Sequence, residues 1–301
     1  MKSTLAALVL GAALVVPGPA LADLWVGAKD AAAGKVHKGP LPADVVHRRA
    51  IEALSSDSVD AYLRLRAATA LVRVHGGSTS VDPRLRYDLG FLLVALHDYE
   101  DAIPALHHAL AYAPKHAQAG RAWFSLGISH AHRGEAEDEE TAWHMALALA
   151  DDPSERHVVL ANLAETEMRL GRLDDALTAI EQAIELVPQH AVTHWTRALL
   201  LDRLDDRPRA LAAAAVALSL DPDGKSLEGD SVFYVPPYDV YWYQALVALA
   251  QADATPEIAG LERIKALSLY TKWLESAAPD DPFRGVAGAR IAQTKALLKL
   301  K

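Results

Sequence analysis

From residue 42 to the C-terminus, apolar residues recur at spacings of three and four, with polar residues between them. This period places the apolar side chains on one face of a helix, so it predicts a chain of amphipathic helices. Two stretches interrupt the pattern: the turn residues GGSTSVD at 76–82 and the longer loop PDGKSLEGD at 222–230. Shortly after that loop, Val235-Pro236-Pro237 stops any helix, because proline lacks the backbone N–H that a helix interior needs.

Three segments of the chain share one spacing of small residues that ends in proline. In each segment, four positions are separated by steps of four, three and five residues. Small residues at these steps lie on one helix face and let a partner helix approach closely. The last two segments are 34 residues apart, which indicates an internal repeat. The three sets are Ala102, Leu106, Ala109 and Pro114; Ala176, Ile180, Ala183 and Pro188; and Ala210, Ala214, Ala217 and Pro222.

Another set of small residues lies twelve positions before each segment: Gly90, Ala164 and Ala198. The same step back from Glu139 reaches Gly127, where the chain reads Trp123-x2-Leu126-Gly127-x2-His130. This resembles the first-helix pattern W-x2-L-G-x2-Y of tetratricopeptide repeats, with His130 in place of Tyr. The resemblance covers residues 83–116, 120–153, 157–190 and 191–224. It implies an all-α fold, an α–α superhelix in which antiparallel helix pairs stack as a solenoid.

The second unit departs from the pattern in its second helix. Small residues and the closing proline are replaced there, and Pro153 comes two places late. The packing of this helix is therefore expected to differ from that of the other units. The replacements are Glu139, Trp143, Ala146 and Asp151.

The turn inside each unit gives a second check on the alignment. The equivalent positions are His97, Gly134, Gly171 and Asp205. A helix end of this kind often needs a positive φ, which glycine adopts freely and which His and Asp adopt more often than most residues. We therefore predict a left-handed residue at all four positions.

Weaker helical patterns flank the four units. Residues 42–55 and 58–75 form one predicted helix pair, residues 238–252 and 257–277 another, and residues 283–300 a last amphipathic helix. Terminal units of solenoids depart from the consensus because they cap the stack with a polar outer face. We therefore predict a single helical array over residues 42–301, with degenerate pairs at both ends.

The N-terminus has the order of a secretory signal peptide. Residues 1–22 contain Lys2, an apolar run from Leu5 to Val16 and the cleavage motif Ala20-Leu21-Ala22. The run is shorter than the roughly 20 apolar residues that span a bilayer. We predict cleavage before Asp23, a loose tether over 23–41, and export to the periplasm of a Gram-negative cell or secretion from another. No later stretch is long and apolar enough to predict a transmembrane segment.

Composition narrows the function classes. The chain has no cysteine, which excludes disulfides, thiol catalysis and thiolate-held clusters from the sequence as given. Its formal charge of −9 argues against nucleic acid as the partner, because phosphate binding needs a basic face. Neither a nucleophile elbow nor a phosphate-binding loop or dinucleotide fingerprint occurs. These observations predict no enzymatic activity and no cofactor.

Histidines and carboxylates give no metal motif. The chain has 13 histidines, but His130 and His132 are two apart and His107 and His108 are adjacent, so neither pair shares a helix face. The acidic stretch at 135–140 is predicted to lie in a turn and a helix start, where the helix dipole favours negative charge. Asp151-Asp152 resembles a helix cap before Pro153. No metal site is predicted from these spacings.

Aromatic and polar residues at equivalent first-helix positions indicate a binding surface. In tetratricopeptide proteins these positions line the concave groove, so the resemblance implies a groove for a protein or peptide. The alternatives are that neighbouring units or the N-terminal segment cover these residues in a structural subunit or homo-oligomer, or that the chain is an accessory protein of an envelope enzyme system. The predicted groove residues are Tyr87, Phe91, Phe124, Ile128, Asn162, Glu165, Trp195 and Leu199.

Overall fold

The computed structural model describes residues 43, 45–48, 50, 61–74, 79–228 and 234–299. The predicted signal peptide at 1–22 and the tether at 23–41 lie outside these residues. Within the described part of the chain, every regular element is a helix, as the sequence predicts. The chain divides into two compact units, Met1–Leu149 and Ala150–Lys301.

The described residues of the first unit form five full helices. They are α1 (Ala61–Val74), α2 (Pro83–Ala95), α3 (Tyr99–Tyr112), α4 (Ala119–Arg133) and α5 (Ala136–Leu149). Residues 43, 45–48 and 50 are also helical. Each helix packs against the next along the chain, and α2 also contacts α4. The pairs α2/α3 and α4/α5 are therefore two repeats whose first helices are neighbours.

The second unit repeats this arrangement. Its helices are α6 (Pro153–Arg169), α7 (Leu173–Leu186), α8 (Ala191–Arg203), α9 (Arg207–Leu220), α10 (Asp239–Ala254), α11 (Ala259–Ser276) and α12 (Arg284–Leu297), with a short 3-10 helix at Lys225–Glu228. Consecutive helices pack together, and the first helices of successive pairs also touch, α6 with α8 and α8 with α10. The helix α12 packs on α11 and ends the described stack.

Small residues lie where the helices of a pair cross, as the repeat pattern predicts. A Cβ atom at Gly90 would lie 2.4 Å from Leu106 Cδ2, and one at Gly127 would lie 2.6 Å from Trp143 Cζ3. The second repeat, residues 120–153, therefore keeps its close helix crossing because the large Trp143 faces Gly127. Its other unusual residue, Glu139, is buried and accepts a hydrogen bond from Trp143 Nε1 at 3.1 Å. The alanines predicted at the remaining crossings are fully buried: Ala102, Ala109, Ala176, Ala183, Ala210, Ala214 and Ala217.

The four intra-repeat turns confirm the predicted alignment. The φ angles are 59° at His97, 72° at Gly134, 77° at Gly171 and 60° at Asp205, all in the left-handed region. At each turn the following residue donates its N–H to a carbonyl near the helix end, for example Asp98 N to Leu93 O at 2.9 Å. This is the pattern of a Schellman helix end, which satisfies carbonyls that the helix itself leaves without a partner.

Aspartates cap the helices that begin with proline. Asp82 accepts a hydrogen bond from Arg84 N before Pro83, and Asp152 accepts bonds from Ser154 N and Glu155 N before Pro153. The N-cap carboxylate satisfies N–H groups that the first helical turn leaves free. The prediction that Asp151-Asp152 forms a cap region is confirmed at Asp152.

An ionic network fixes the C-terminal helix of the second unit. The fully buried Asp202 of α8 receives Arg290 Nε from α12 at 2.8 Å and Arg207 from α9 at 2.8 Å. Its other carboxylate oxygen accepts bonds from Trp242 Nε1 and the Tyr270 hydroxyl. Because a buried charge without a partner costs several kcal/mol, this bonding requires all these helices to be in place.

Among the described residues, no helix has the length and apolar character needed to cross a membrane.

Candidate functional site

Four of the eight predicted groove residues are core residues. The exposed fractions are 0% for Tyr87, 1% for Phe91, and 0% for both Trp195 and Leu199. The prediction that these side chains line an open surface is therefore wrong. In the first unit, Tyr87 stacks on His116, with 5.0 Å between ring centroids, and its hydroxyl donates to Ala113 O at 2.8 Å.

Trp195 is held inside the second unit by Asp221, the residue that follows α9. Its Nε1 donates to Asp221 Oδ2 at 3.3 Å, and Asp221 also accepts bonds from the backbone and side chain of Ser226. A buried indole with a satisfied N–H belongs to the core, so truncation of Trp195 is expected to cost stability rather than partner affinity.

Phe124 and Ile128 of α4 are half-buried in the first unit. The Phe124 ring meets the edge of the Trp143 ring, with 5.2 Å between centroids. Ile128 packs against the hydrophobic core of the unit. Both retain some accessible surface, so their role in binding stays a prediction.

Asn162 and Glu165 of α6 are half-buried in the second unit. Asn162 Nδ2 donates to Val158 O of its own helix at 2.8 Å. Glu165 Oε1 accepts bonds from the Thr196 and Tyr243 hydroxyls, both at 3.1 Å. Burial raises the pKa of the Glu165 carboxyl. The carboxylate thus joins the three first helices α6, α8 and α10, and its role in partner binding stays a prediction.

The chain's own residues cover part of this row of first helices. Leu227, in the 3-10 helix, is buried, and its carbonyl accepts a bond from the Tyr234 hydroxyl at 2.7 Å. The Tyr234 ring lies 5.4 Å from the Tyr243 ring, between centroids. The loop after α9 therefore occupies surface beside α8 and α10 that an external ligand would otherwise contact.

A different concave surface of the second unit is open and mostly apolar. It is a groove of about 940 Å³ between α9, the C-terminal end of α10 and the start of α11, which we call the outer groove. The side chains of Ile258 and Val216 are 39% and 45% exposed, and Leu261 reaches 66%. Val216 shares its helix face with Ala212, which lies four residues earlier. The lining residues are Leu211, Ala212, Ala215, Leu218, Ser219, Pro222, Ala250, Gln251, Asp253, Ala254, Thr255, Ile258 and Glu262.

The polar edge of the outer groove is acidic. Asp253 pairs with Arg263 at 3.5 Å, and Glu262 Oε2 lies 3.7 Å from Lys265 Nζ. This Glu262 oxygen is buried and accepts no hydrogen bond from the described residues. A buried carboxylate oxygen of this kind is suited to a donor from a bound partner, because leaving it unsatisfied costs about 1–3 kcal/mol or more.

Sequence reasoning missed the outer groove. Its large apolar residues, Leu211, Leu218 and Ile258, lie on or beside the second helices α9 and α11, whereas the predicted groove residues all lie on first helices. The sequence pattern that could have indicated this groove is the spacing of Ile258, Leu261 and Ile264. It places large apolar side chains on a different helix face from the small crossing residue Ala266. Ile264 is 55% exposed.

Histidines of the second unit are packing residues. His157 Nε2 and His190 Nδ1 both lie 2.8 Å from Thr193 Oγ1, and the two rings are 4.6 Å apart between centroids. Burial, with a smaller contribution from the neighbouring His190, lowers the pKa of His157 to about 4. The folded chain therefore holds His157 neutral at ordinary pH.

Comparison with known proteins agrees with this architecture. Residues 87–154 and 162–225 match the family model described as Tetratricopeptide repeat. A 115-residue segment is 27% identical to human Tetratricopeptide repeat protein 8 and spans 38% of this chain but only 21% of that curated relative.

Two solved structures share the fold. MamA from Desulfovibrio magneticus RS-1 aligns over 63% of this chain and 97% of that chain, with a TM-score of 0.52 and 18% identity. A MamA RS-1 ArsTM double mutant aligns over 61% and 97%, with a TM-score of 0.53 and 18% identity. At this identity the likeness concerns the fold alone.

Proposed function

Because residues 87–154 and 162–225 are tetratricopeptide repeats, we propose that this chain is an exported scaffold that binds a protein segment and catalyses no reaction. Stacked helix repeats present extended surfaces without needing reactive groups, which suits a binding role. The single observation that carries the proposal is the outer groove, an apolar concavity of about 940 Å³ beside large exposed aliphatic side chains. Contiguous exposed apolar surface of this kind typically marks an interaction site.

The shape of the outer groove favours a helix as the bound segment. Its walls are helices, and Ala212, Ala215 and Ala254 leave room for a partner backbone to approach. Amphipathic helices bind such grooves with apolar residues at steps of three and four. Leu261 and Ile264 extend the apolar surface one turn along α11, enough to contact a second turn of the partner.

Three carboxylates, Asp253, Glu257 and Glu262, outnumber the basic Arg263 and Lys265 at the edge of the outer groove, which favours a basic partner. Asp253 and Glu262 line it, Glu257 lies exposed between them in the chain, and the whole chain carries a formal charge of −9. A lysine or arginine on the partner helix can donate to Glu262 Oε2. The proposed ligand is therefore an amphipathic helix with a basic residue beside its apolar face.

Photo-crosslinking in the native host tests this surface. A photoreactive residue at Leu261, which is 66% exposed, is compared with one at Gln182, an exposed position on α7. We expect a discrete adduct from Leu261 and none from Gln182, with the crosslinked peptide predicted to be helical, apolar on one face and basic beside it. A synthetic copy of that peptide should bind Ile258→Glu ten- to a hundredfold more weakly than wild type, or about 1.4–2.7 kcal/mol.

Two results would refute the surface assignment. One is equal crosslinking from Leu261 and Gln182. The other is an unchanged peptide affinity in the Ile258→Glu protein, measured after circular dichroism shows that the variant is folded.

Export is supported by the sequence of residues 1–22. The mature chain is expected to begin at Asp23. Intact-mass measurement and N-terminal sequencing of protein from the extracytoplasmic fraction check this, and intact Met1 on cytoplasmic protein would contradict it.

One observation favours a structural subunit as a second candidate. Leu227 and Tyr234 lie against α8 and α10, so the chain partly fills its own row of first helices. If crosslinking at Leu261 captures only a second copy of this chain, the outer groove is a self-association surface and the structural role replaces the scaffold role.

A further inference from the structure

The turn between α4 and α5 brings a histidine and two carboxylates together. His130 Nδ1 lies 2.8 Å from Glu135 Oε2, and His130, Glu135 and Asp138 each have one nitrogen or carboxylate oxygen within 4.8 Å of those of the other two. His130 is buried, whereas Asp138 is exposed at the start of α5. The three side chains converge because Gly134 turns the chain with a φ of 72° and Glu135 N donates to His130 O at 3.0 Å.

A second histidine approaches this turn from another repeat. His107, on α3, lies 6.3 Å from His130 between ring centroids and contacts the Trp123 ring edge-on at 6.1 Å. The cluster thus combines residues from α3, α4, the turn and α5 within the first unit. Imidazole nitrogens and carboxylate oxygens together are the ligands of zinc and related divalent transition metals.

We propose that His130, Glu135 and Asp138 bind a divalent transition-metal ion such as Zn²⁺, with His107 supplying the fourth ligand. The spacing fits this chemistry. Zinc–ligand bonds of about 2.1 Å place the atoms of a tetrahedral site about 3.4 Å apart. The separations among the His130, Glu135 and Asp138 ligand atoms, from 2.8 Å to within 4.8 Å, span that value, so a rotamer change of exposed Asp138 closes this set of three. His107, whose ring centroid lies 6.3 Å from that of His130, must also change rotamer to reach the ion.

The surroundings of Glu135 also suit a ligand. Arg133 Nε donates to Glu135 Oε1 at 2.7 Å, which leaves Oε2 directed at His130. An outer partner of this kind orients a metal ligand. A bound ion would join the α2/α3 repeat to the α4/α5 repeat.

Calorimetric titration of the tag-free, chelator-treated full chain with ZnCl₂ tests the site. We expect one Zn²⁺ per chain with micromolar or tighter affinity, and a rise in thermal midpoint from binding to the folded state alone. Asp138→Asn should weaken Zn²⁺ binding at least about tenfold, because the loss of even an outer-shell partner of a metal ligand lowers metal affinity by about 10- to 100-fold. Its matched control is Glu137→Gln, which alters the exposed neighbouring carboxylate. His107→Gln tests the fourth ligand, and His108→Gln is its control.

Both variants in the first comparison change exposed side chains, so the fold should be retained, and circular dichroism verifies this. Absence of Zn²⁺ binding to the wild-type chain would overturn the proposal. Equal affinities for Asp138→Asn and Glu137→Gln would also overturn it, because the ion would then bind elsewhere on a histidine-rich surface.

Discussion

Substitution of Gly127 by alanine tests the helix crossing that defines the second repeat. An added Cβ would lie 2.6 Å from Trp143 Cζ3 and 2.7 Å from both Cδ2 and Cε2. Ordinary carbon contacts begin near 3.5 Å, so the indole or the helix must move by most of an ångström. The indole cannot rotate freely, because Trp143 is fully buried and its Nε1 is bonded to Glu139.

The expected free-energy change is the difference of two terms. Overpacking a core costs about 1–3 kcal/mol, and three contacts with a rigid ring favour the upper half of that range. Alanine recovers about 1 kcal/mol over glycine through its helix propensity. We therefore expect Gly127→Ala to lower the free energy of unfolding by about 1–2 kcal/mol.

The matched control is Gly288→Ala in α12, where an added Cβ meets no atom within 4 Å. Only the helix-propensity term remains at this position, so the free energy of unfolding of Gly288→Ala should rise by up to about 1 kcal/mol. Equilibrium urea unfolding followed by circular dichroism measures both variants. In a Trp143→Leu background the steric term is relieved, and Gly127→Ala should become neutral or stabilising.

The packing argument predicts opposite signs for the two glycines. Equal stabilisation by Gly127→Ala and Gly288→Ala would refute it. An unchanged effect of Gly127→Ala in the Trp143→Leu background would show that the ring is not the cause.

Three further predictions follow from the same packing and charge analysis. Ala183→Leu, at a fully buried crossing, should cost about 1–3 kcal/mol in urea unfolding, whereas the exposed neighbouring change Gln182→Leu should stay within about 0.5 kcal/mol, and equal effects would contradict the helix phase. Asp202→Asn should cost up to about 3–5 kcal/mol because it removes the buried carboxylate shared by Arg290 and Arg207, although Arg290 keeps its 2.8 Å contact with Asp205. The exposed control Asp175→Asn should cost less than about 0.5 kcal/mol, and a small loss at both positions would refute the network's role. His157 has a folded-state pKa of about 4, below the ordinary 6.5, so the unfolded chain takes up a proton first as the pH is lowered. The free energy of unfolding should therefore fall as the pH drops from 6.5 to 4. Urea midpoints across this range should depend less on pH in His157→Gln, and an identical dependence would show that other groups cause it.

The repeat pattern itself was readable because its signals are local. Ala183 and Gly127 mark helix crossings, and each repeats at a fixed offset from a turn residue. The positive φ at His97 and Asp205 shows that even the non-glycine turns were correctly aligned. Small side chains and left-handed residues report backbone geometry within a single helix pair, so one chain is enough to detect them.

The open surface of the protein could not be predicted from residue spacing in this way. Trp195 was expected on a groove, but it is buried with its Nε1 bonded to Asp221, 26 residues along the chain. A periodic pattern says which face of a helix a residue occupies, yet it does not say what packs on that face. The loop carrying Leu227 and Tyr234 lies outside the repeat, so no repeat position predicts where it packs.

The sequence by itself determined the helical class, the helix crossings and the positions of the turns, because these depend on neighbouring residues in one helix pair. Only the tertiary structure decided which faces stay open and which charged groups meet. Arg290 reaches Asp202 across 88 positions, and His107 approaches His130 from another repeat. Such contacts depend on how the small rotations between successive helices add up along the stack. The spacing of residues in the sequence does not specify those rotations.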